Sequence, residues 1–267
     1  MYYIYFIEKS LKAASEIANS SFGKVSGSTK PEDNNQVLTE VDLAVGKLLI
    51  DRVQKEYPSH NIIDEEAGII DKKSEFTWVI DPIDGTSNFV QGVPTYGIMI
   101  GLLKDDKPYA GGIALPYFSE IYTAFKGKRA FCNRKKIKVS DEKNLLNTLV
   151  AYGIDSHQEN PELTRKECEI LADIILHIRN LRTSNSAFDM AMVAKGKYAA
   201  YLNKKHRLWD NVALQIIIEE AGGLFTDFYG KPVNYHKPLT RVTDNFTICA
   251  APPQIHKQLQ DIIRKYT

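Results

Sequence analysis

The run Phe76-Thr77-Trp78-Val79-Ile80 constrains this chain most: apolar and β-branched, it reads as a buried strand, and it stops on an acid, Asp81. A second acid follows at Asp84, then Gly85-Thr86-Ser87, a small-residue turn suited to opening a helix. Two carboxylates three residues apart, with Pro82 stiffening the link, can face one point in space. The backbone N–H groups that follow can face the same point, and such a cluster at a helix start favours an anion. Carboxylates that grip hard cations beside a phosphate cradle suit metal-assisted phosphoryl chemistry. Asp-Pro-x-Asp-Gly is equally ordinary turn chemistry, so these residues alone leave both readings open.

Length and charge narrow the classes. At 267 residues the chain suits one large domain or two closely packed lobes. Its 34 Lys and Arg against 33 Asp and Glu leave +1, which argues against a protein built mainly to grip nucleic acid or an anionic membrane. Cys132, Cys168 and Cys249 show no metal-type spacing and read as reduced thiols of a cytoplasmic protein. Met1 to Ile7 is apolar, but Glu8 and Lys9 cut it short, and it lacks the basic leader and cleavage site of a signal peptide. No run approaches the roughly 18 apolar residues that span a bilayer, so a soluble protein is expected.

Along the chain, Ile4, Ile7, Leu11, Ala14 and Ala18 recur at helical spacing. Gly23 to Gln36 is polar and Gly/Pro-containing, and reads as a mobile loop. Thr39 caps a second helix, to Val53, with Val41, Ala44, Val45, Leu48, Leu49 and Val53 inward and Asp42 in its first turn. Asn61-Ile62-Ile63 is a short strand that empties into Asp64-Glu65-Glu66, three acids that suit either a solvated loop or a site for divalent cations. Strands over Gly97–Leu103, Tyr109–Leu115 and Ile121–Ala124 follow with tight turns, so this part is expected to be mostly antiparallel. After Val150 strand and helix alternate, with a helix from Leu163 to Ile178, a strand from Tyr198 to Leu202 and a helical stripe from Trp209 to Ala221 that puts Asp210 in its first turn. Ile248–Ala250 is a last strand and Ile255 to Ile263 a last helix.

Asp81-Pro82-Ile83-Asp84-Gly85-Thr86-Ser87-Asn88-Phe89 closely resembles the first signature of the inositol monophosphatase family of magnesium-dependent, lithium-sensitive phosphatases. Trp209-Asp210-x-x-Ala213, with Glu219-Glu220-Ala221-Gly222-Gly223 behind it, resembles the second. Thr39-Glu40-Val41-Asp42 is similar to a third family element, and Gly127 to Asn133 to a structural one in which Arg129 replaces a glycine.

The resemblance implies an α/β (α+β) fold, a five-layered αβαβα sandwich of the inositol monophosphatase / fructose-1,6-bisphosphatase type, commonly a homodimer. Its lobes would span about residues 1–144, with the metal site and a mostly antiparallel sheet, and 145–267 on the substrate side. It implies two to three Mg²⁺ ions held by Glu65, Asp81, the carbonyl of Ile83, Asp84 and Asp210, with Glu66 behind them. Thr86 and Asp42 would place and deprotonate a water that attacks phosphorus in line, without a phospho-enzyme. Gly85, Thr86 and Ser87 would cradle the phosphate, Ser184, Asn185, Asn203 and Lys204 would face the rest of a small phosphate ester, and Lys30 is the loop residue nearest the family's closing lysine.

Inositol 1-phosphate is the first substrate on the overall match. Asn203 stands where inositol-specific members have a glutamate, and the basic run Lys204-Lys205-His206-Arg207 follows it. That run reads either as a solvated loop or as a site for a second anionic group, as in fructose 1,6-bisphosphate, NADP(H) or a 3′,5′-bisphosphonucleotide. A non-catalytic protein associated with RNA or transcription is the remaining alternative.

Overall fold

The computed structural model describes residues 2–30 and 33–266. In chain order its main elements are α1 (Tyr2–Ser21), β1 (Ser28–Lys30), β2 (Asp33–Leu38), α2 (Glu40–Glu56), β3 (Asn61–Asp64), β4 (Gly68–Ile70), β5 (Phe76–Asp84), α3 (Thr86–Val90), β6 (Gly97–Lys104), β7 (Lys107–Leu115), β8 (Glu120–Phe125), β9 (Ala130–Cys132) and β10 (Lys135–Lys136). They continue with β11 (Leu149–Gly153), α4 (Pro161–Ile175), β12 (Asn180–Arg182), α5 (Ser186–Ala194), β13 (Ala200–His206), α6 (Val212–Glu220), β14 (Leu224–Thr226), β15 (Phe246–Ala251) and α7 (Pro253–Ile263). Among the described residues no helix is long and apolar enough to cross a membrane.

Two sheets form the frame. The first has the order β10-β9-β8-β7-β6-β5-β3-β4 and the second β12-β11-β13-β15-β14. Among the described residues, only β3 and β5 of the first sheet pair in parallel. Helices cover each sheet on both faces, which is why the central strands are apolar at consecutive positions. On β6, Ile98, Ile100 and Leu102 pack with Ile7 and Leu11 of α1 and Val45 and Leu49 of α2, while Met99 packs toward α5 and α6. That middle layer touches the second sheet through Ala151, Tyr201 and Ile248. The far face of the second sheet, with Val150, Leu202 and Cys249, is closed by Ile170 and Ile174 of α4 and Leu259 and Ile262 of α7. The described residues thus stack as five layers, αβαβα. Helix α6 reaches the first sheet because Gly101 and Gly111 pair in register beneath it; a Cβ on either would lie 2.9 Å from the backbone of Ala213.

Several expectations change. The segment expected to be a loop carries the β1–β2 antiparallel hairpin, which its polar composition conceals. Strand β5 does not stop at Asp81; it runs on to Asp84 through a register shift against β6. Ala44, expected inward, is exposed, because the buried stripe of α2 runs Val41, Val45, Leu49, Val53. The basic run does not form a solvated loop, since Lys204, Lys205 and His206 complete β13. Asp210 precedes α6 rather than sitting in its first turn. Glu220, at the end of α6, accepts from the amides of Gly127 (2.6 Å) and Arg129 (2.7 Å) and so fixes the turn between β8 and β9.

Candidate active site

The carboxylates come from four places. Asp81 and Asp84 sit at the end of β5, Glu65 follows β3, and Asp210 precedes α6. Because β3 and β5 are parallel neighbours with Asp64 opposite Ile80, the two strand ends release Glu65 and Asp81 on the same edge of the sheet. Asp81, Asp84 and Asp210 each offer an oxygen within 4.8 Å of the others. Glu65 lies outside that tight group but lines the same cleft, which encloses about 510 Å³.

Electrostatically the cluster is strained. Burial, then the charges of Glu65, Asp84 and Asp210, push the Asp81 carboxyl well above the usual range. Burial and the Asp84 charge raise Asp210 to about 7. Asp84 is raised by burial as well, though Ser186 Oγ (2.7 Å) and the amide of Ala187 (2.6 Å) donate to it from the start of α5. Asp81 Oδ1 is buried and accepts no hydrogen bond among the described residues. A buried set of hard oxygen donors of one sign, with one oxygen left over, fits a divalent cation of the Mg²⁺ type. The carbonyl of Ile83, in the same wall, could join that donor set.

Asp42 sits beside the cluster and is tied on both sides. Its Oδ2 accepts from the amide (2.8 Å) and hydroxyl (2.5 Å) of Thr39, the N-cap of α2, in a capping box. Its Oδ1 accepts from Thr86 Oγ1 at 3.0 Å, and the same hydroxyl lies 2.9 Å from the carbonyl of Ile83. Burial raises the Asp42 carboxyl, against the pull of these hydrogen bonds. Gly85 makes the turn possible. It holds φ 83°, and a Cβ there would lie 2.6 Å from Asn185 Nδ2.

The opposite wall comes from the second sheet and α5. Ser184, Asn185 and Asn203 line the cleft with Gly85, Thr86 and Ser87, as does Lys205. A backbone amide fixes the polarity of this wall. Lys205 N–H donates to Asn203 Oδ1 (2.6 Å), Asn203 Nδ2 donates to the Tyr201 hydroxyl (3.0 Å), and that hydroxyl donates to His206 Nε2 (3.0 Å). His206 Nδ1 then donates to Asn211 Oδ1 at 2.8 Å. Asn203 lines the cleft and keeps one amide hydrogen beyond the one given to Tyr201.

Some expected residues stand elsewhere. Lys204 does not line the cleft: neighbours on a strand face opposite ways, and its ammonium sits 5.6 Å over the ring of Phe228. Glu66, expected behind the ligands, does not line the cleft, and its amide donates to Asp64 Oδ1 at 3.0 Å. Asp64, first of the three acids that suited either a solvated loop or a cation site, turns inward to hold the Glu65–Ala67 turn. Lys30 ends β1, and its side chain lies outside the described residues. Sequence reasoning missed Asp189 on α5, a residue of the cleft wall whose buried carboxyl is raised to about 6 by burial. An acid on an otherwise apolar helix was the available signal.

Solved phosphatase structures share this fold. An IMPase from Thermotoga maritima aligns with TM-score 0.87 and 26% identity, covering 100% of this chain and 98% of that one. The sequence matches the inositol monophosphatase family over residues 2–267, and the chain belongs to that family of phosphatases. A fructose-1,6-bisphosphatase/inositol-1-monophosphatase of Aquifex aeolicus (strain VF5) is 30% identical over 260 residues, 95% of this chain and 92% of that one. The Nus factor SuhB of Pasteurella multocida (strain Pm70) is 31% identical over 260 residues, 97% of this chain and 94% of that one.

Proposed function

We propose that this protein hydrolyses small phosphate monoesters with Mg²⁺ held by Glu65, Asp81, the Ile83 carbonyl, Asp84 and Asp210, and that inositol 1-phosphate is its first substrate. The observation that carries this is the buried Asp81–Asp84–Asp210 cluster with its spare Asp81 oxygen, next to the Asp42–Thr86 pair. When bound, the cation supplies positive charge against the phosphoryl oxygens and lowers the pKa of a water. Thr86 has one proton for two acceptors. Donated to Asp42, it leaves the Ile83 carbonyl free and turns the Thr86 lone pairs toward a water in the cleft. Asp42, already raised by burial, then takes up the proton that this water loses, through Thr86. The unpaired amides in the first turn of α3 face phosphate oxygens, a cradle that supports Gly85, Thr86 and Ser87 as the phosphate site. The intact acid set supports catalysis over a purely binding role.

One observation favours a second substrate reading. Asn203 presents a donor to the leaving-group side, and Lys205 lines the same wall. Donor and cation suit an ester with a second phosphate or carboxylate, as in the bisphosphatase activity named for the Aquifex relative. Phosphate release with Mg²⁺ over inositol 1-phosphate, fructose 1,6-bisphosphate, NADP and a 3′,5′-bisphosphonucleotide separates the two. Release from none of them, with Asp84→Asn no different from the parent, would overturn both.

A further inference from the structure

Of the acids that line the cleft, Glu65, Asp81, Asp84 and Asp210 make the proposed cation site, and Asp189 is buried and accepts from the Ser184 amide at 3.0 Å. Asp155 is the one left, two residues past the end of β11. It is exposed, and among the described residues it accepts no hydrogen bond and pairs with no cation. Neither the cluster nor the Asp42–Thr86 pair employs it.

The second sheet brings this acid to the leaving-group wall. Strands β11 and β13 run in parallel with Gly153 opposite Asn203. A Cβ on Gly153 would lie 2.3 Å from Asn203 Nδ2 and 2.8 Å from the Tyr201 hydroxyl, so the bare backbone at 153 makes room for the Asn203 side chain against β11. There Asn203 Oδ1 accepts from Lys205 N–H and Nδ2 donates to Tyr201, and position 203 brings no carboxylate to the wall. The chain leaves β11 at Gly153 and joins the same wall again at Asp155. Burial and the Asp84 charge do most to raise Asp210, and the Asp155 charge adds to them, so this carboxylate stands within electrostatic reach of the cluster.

An exposed carboxylate with open lone pairs is a strong acceptor for O–H groups. Lys205 lines the same wall, and charges of both signs there suit a neutral polar leaving group better than a charged one. We propose that Asp155 is a specificity-determining residue that accepts hydrogen bonds from the hydroxyls of a polyol leaving group. The acceptor that Asn203 does not supply thus comes from the neighbouring strand. This inference rests on the hydrolytic reading and concerns what the cleft admits beyond the phosphate.

The test uses the full chain with Mg²⁺ and esters that differ in the leaving group. Inositol 1-phosphate and glycerol 2-phosphate carry hydroxyls, 4-nitrophenyl phosphate carries none, and phosphoethanolamine carries an ammonium. Asp155→Asn should lower kcat/KM on the polyol esters about tenfold, chiefly through KM, and Asp155→Ala at least as far. Both variants should stay within about twofold of the parent on 4-nitrophenyl phosphate, where no hydroxyl is lost. An equal change on polyol and aryl esters would assign Asp155 to the field at Asp210 and overturn the proposal. A larger loss on phosphoethanolamine than on the polyol esters would overturn it too, by making the ammonium its partner. Parent protein that releases phosphate from the aryl ester but from neither polyol ester would overturn this inference alone, whereas release from none of these esters would overturn it together with the hydrolytic reading.

Discussion

Thr86 Oγ1 donates to Asp42 Oδ1 at 3.0 Å, joining residues 44 positions apart and locking the start of α3 to the capped start of α2. The same Asp42 carboxylate caps a helix with one oxygen and holds the Thr86 hydroxyl with the other. On the proposed mechanism, stability and chemistry therefore meet in one side chain.

That double use can be separated by substitution. Thr86→Ala leaves the capping box intact and should lower kcat by about 10²–10⁴-fold with KM little changed, as expected for loss of proton transfer. Asp42→Ala should lose kcat to the same extent and also about 1 kcal/mol of stability, from the cap. Steady-state kinetics and thermal melts on both variants check this; a Thr86→Ala enzyme with parental kcat contradicts it.

Asp189 sets a pH dependence. Burial raises its carboxyl to about 6, above its ordinary value, and its Oδ1 has no hydrogen-bond partner among the described residues. Between about pH 4 and 6 the folded protein keeps a proton that the unfolded chain has released, so stability falls as pH rises through this window and stays lower above it. Asp189→Asn removes that loss. It should raise stability at pH 7.5 by about 1–3 kcal/mol and leave it nearly unchanged at pH 3.5. A lower Tm for the variant at pH 7.5 would show that the charge has a stabilising partner.

Much of this molecule was legible in its sequence, and the exceptions share a cause. Apolar periodicity gave α1, α2, β5 to β8 and α7, because each faces a packed layer that demands it. Asp81, Asp84 and Asp210 were readable through two distant signatures, and the fold brings an oxygen of each within 4.8 Å of the others. Lys204 was misplaced because a polar run hides the two-residue period of a strand, and the period decides that Lys205 meets the cleft while Lys204 meets Phe228. The inward turn of Asp64 was invisible because its partners are backbone amides, which every sequence supplies equally.

Specificity should follow the polarity of residue 203. Asn203→Asp puts an acceptor where the amide now donates. On the two-anion reading kcat/KM for a bisphosphate should fall about tenfold or more and that for inositol 1-phosphate should not, by loss of a donor and like-charge repulsion. An equal fall on both substrates would assign Asn203 to structure alone.

Cation binding should compete with protons. With Asp210 raised to about 7 and Asp81 and Asp84 raised as well, the cluster is partly protonated in the metal-free protein below that pH. Mg²⁺ binds the ionised form, so it should raise Tm clearly at pH 8 and much less at pH 5.5. Chelation should abolish phosphate release. A Tm increment independent of pH would place the ion elsewhere.

The most direct measurement is the anomalous density of Mn²⁺ soaked into crystals of the protein in place of Mg²⁺. The account predicts peaks among the carboxylates of Glu65, Asp81, Asp84 and Asp210, and loss of a peak in Asp84→Asn. Well-ordered crystals with no peak there, or with Mn²⁺ bound only at other acids, would contradict it.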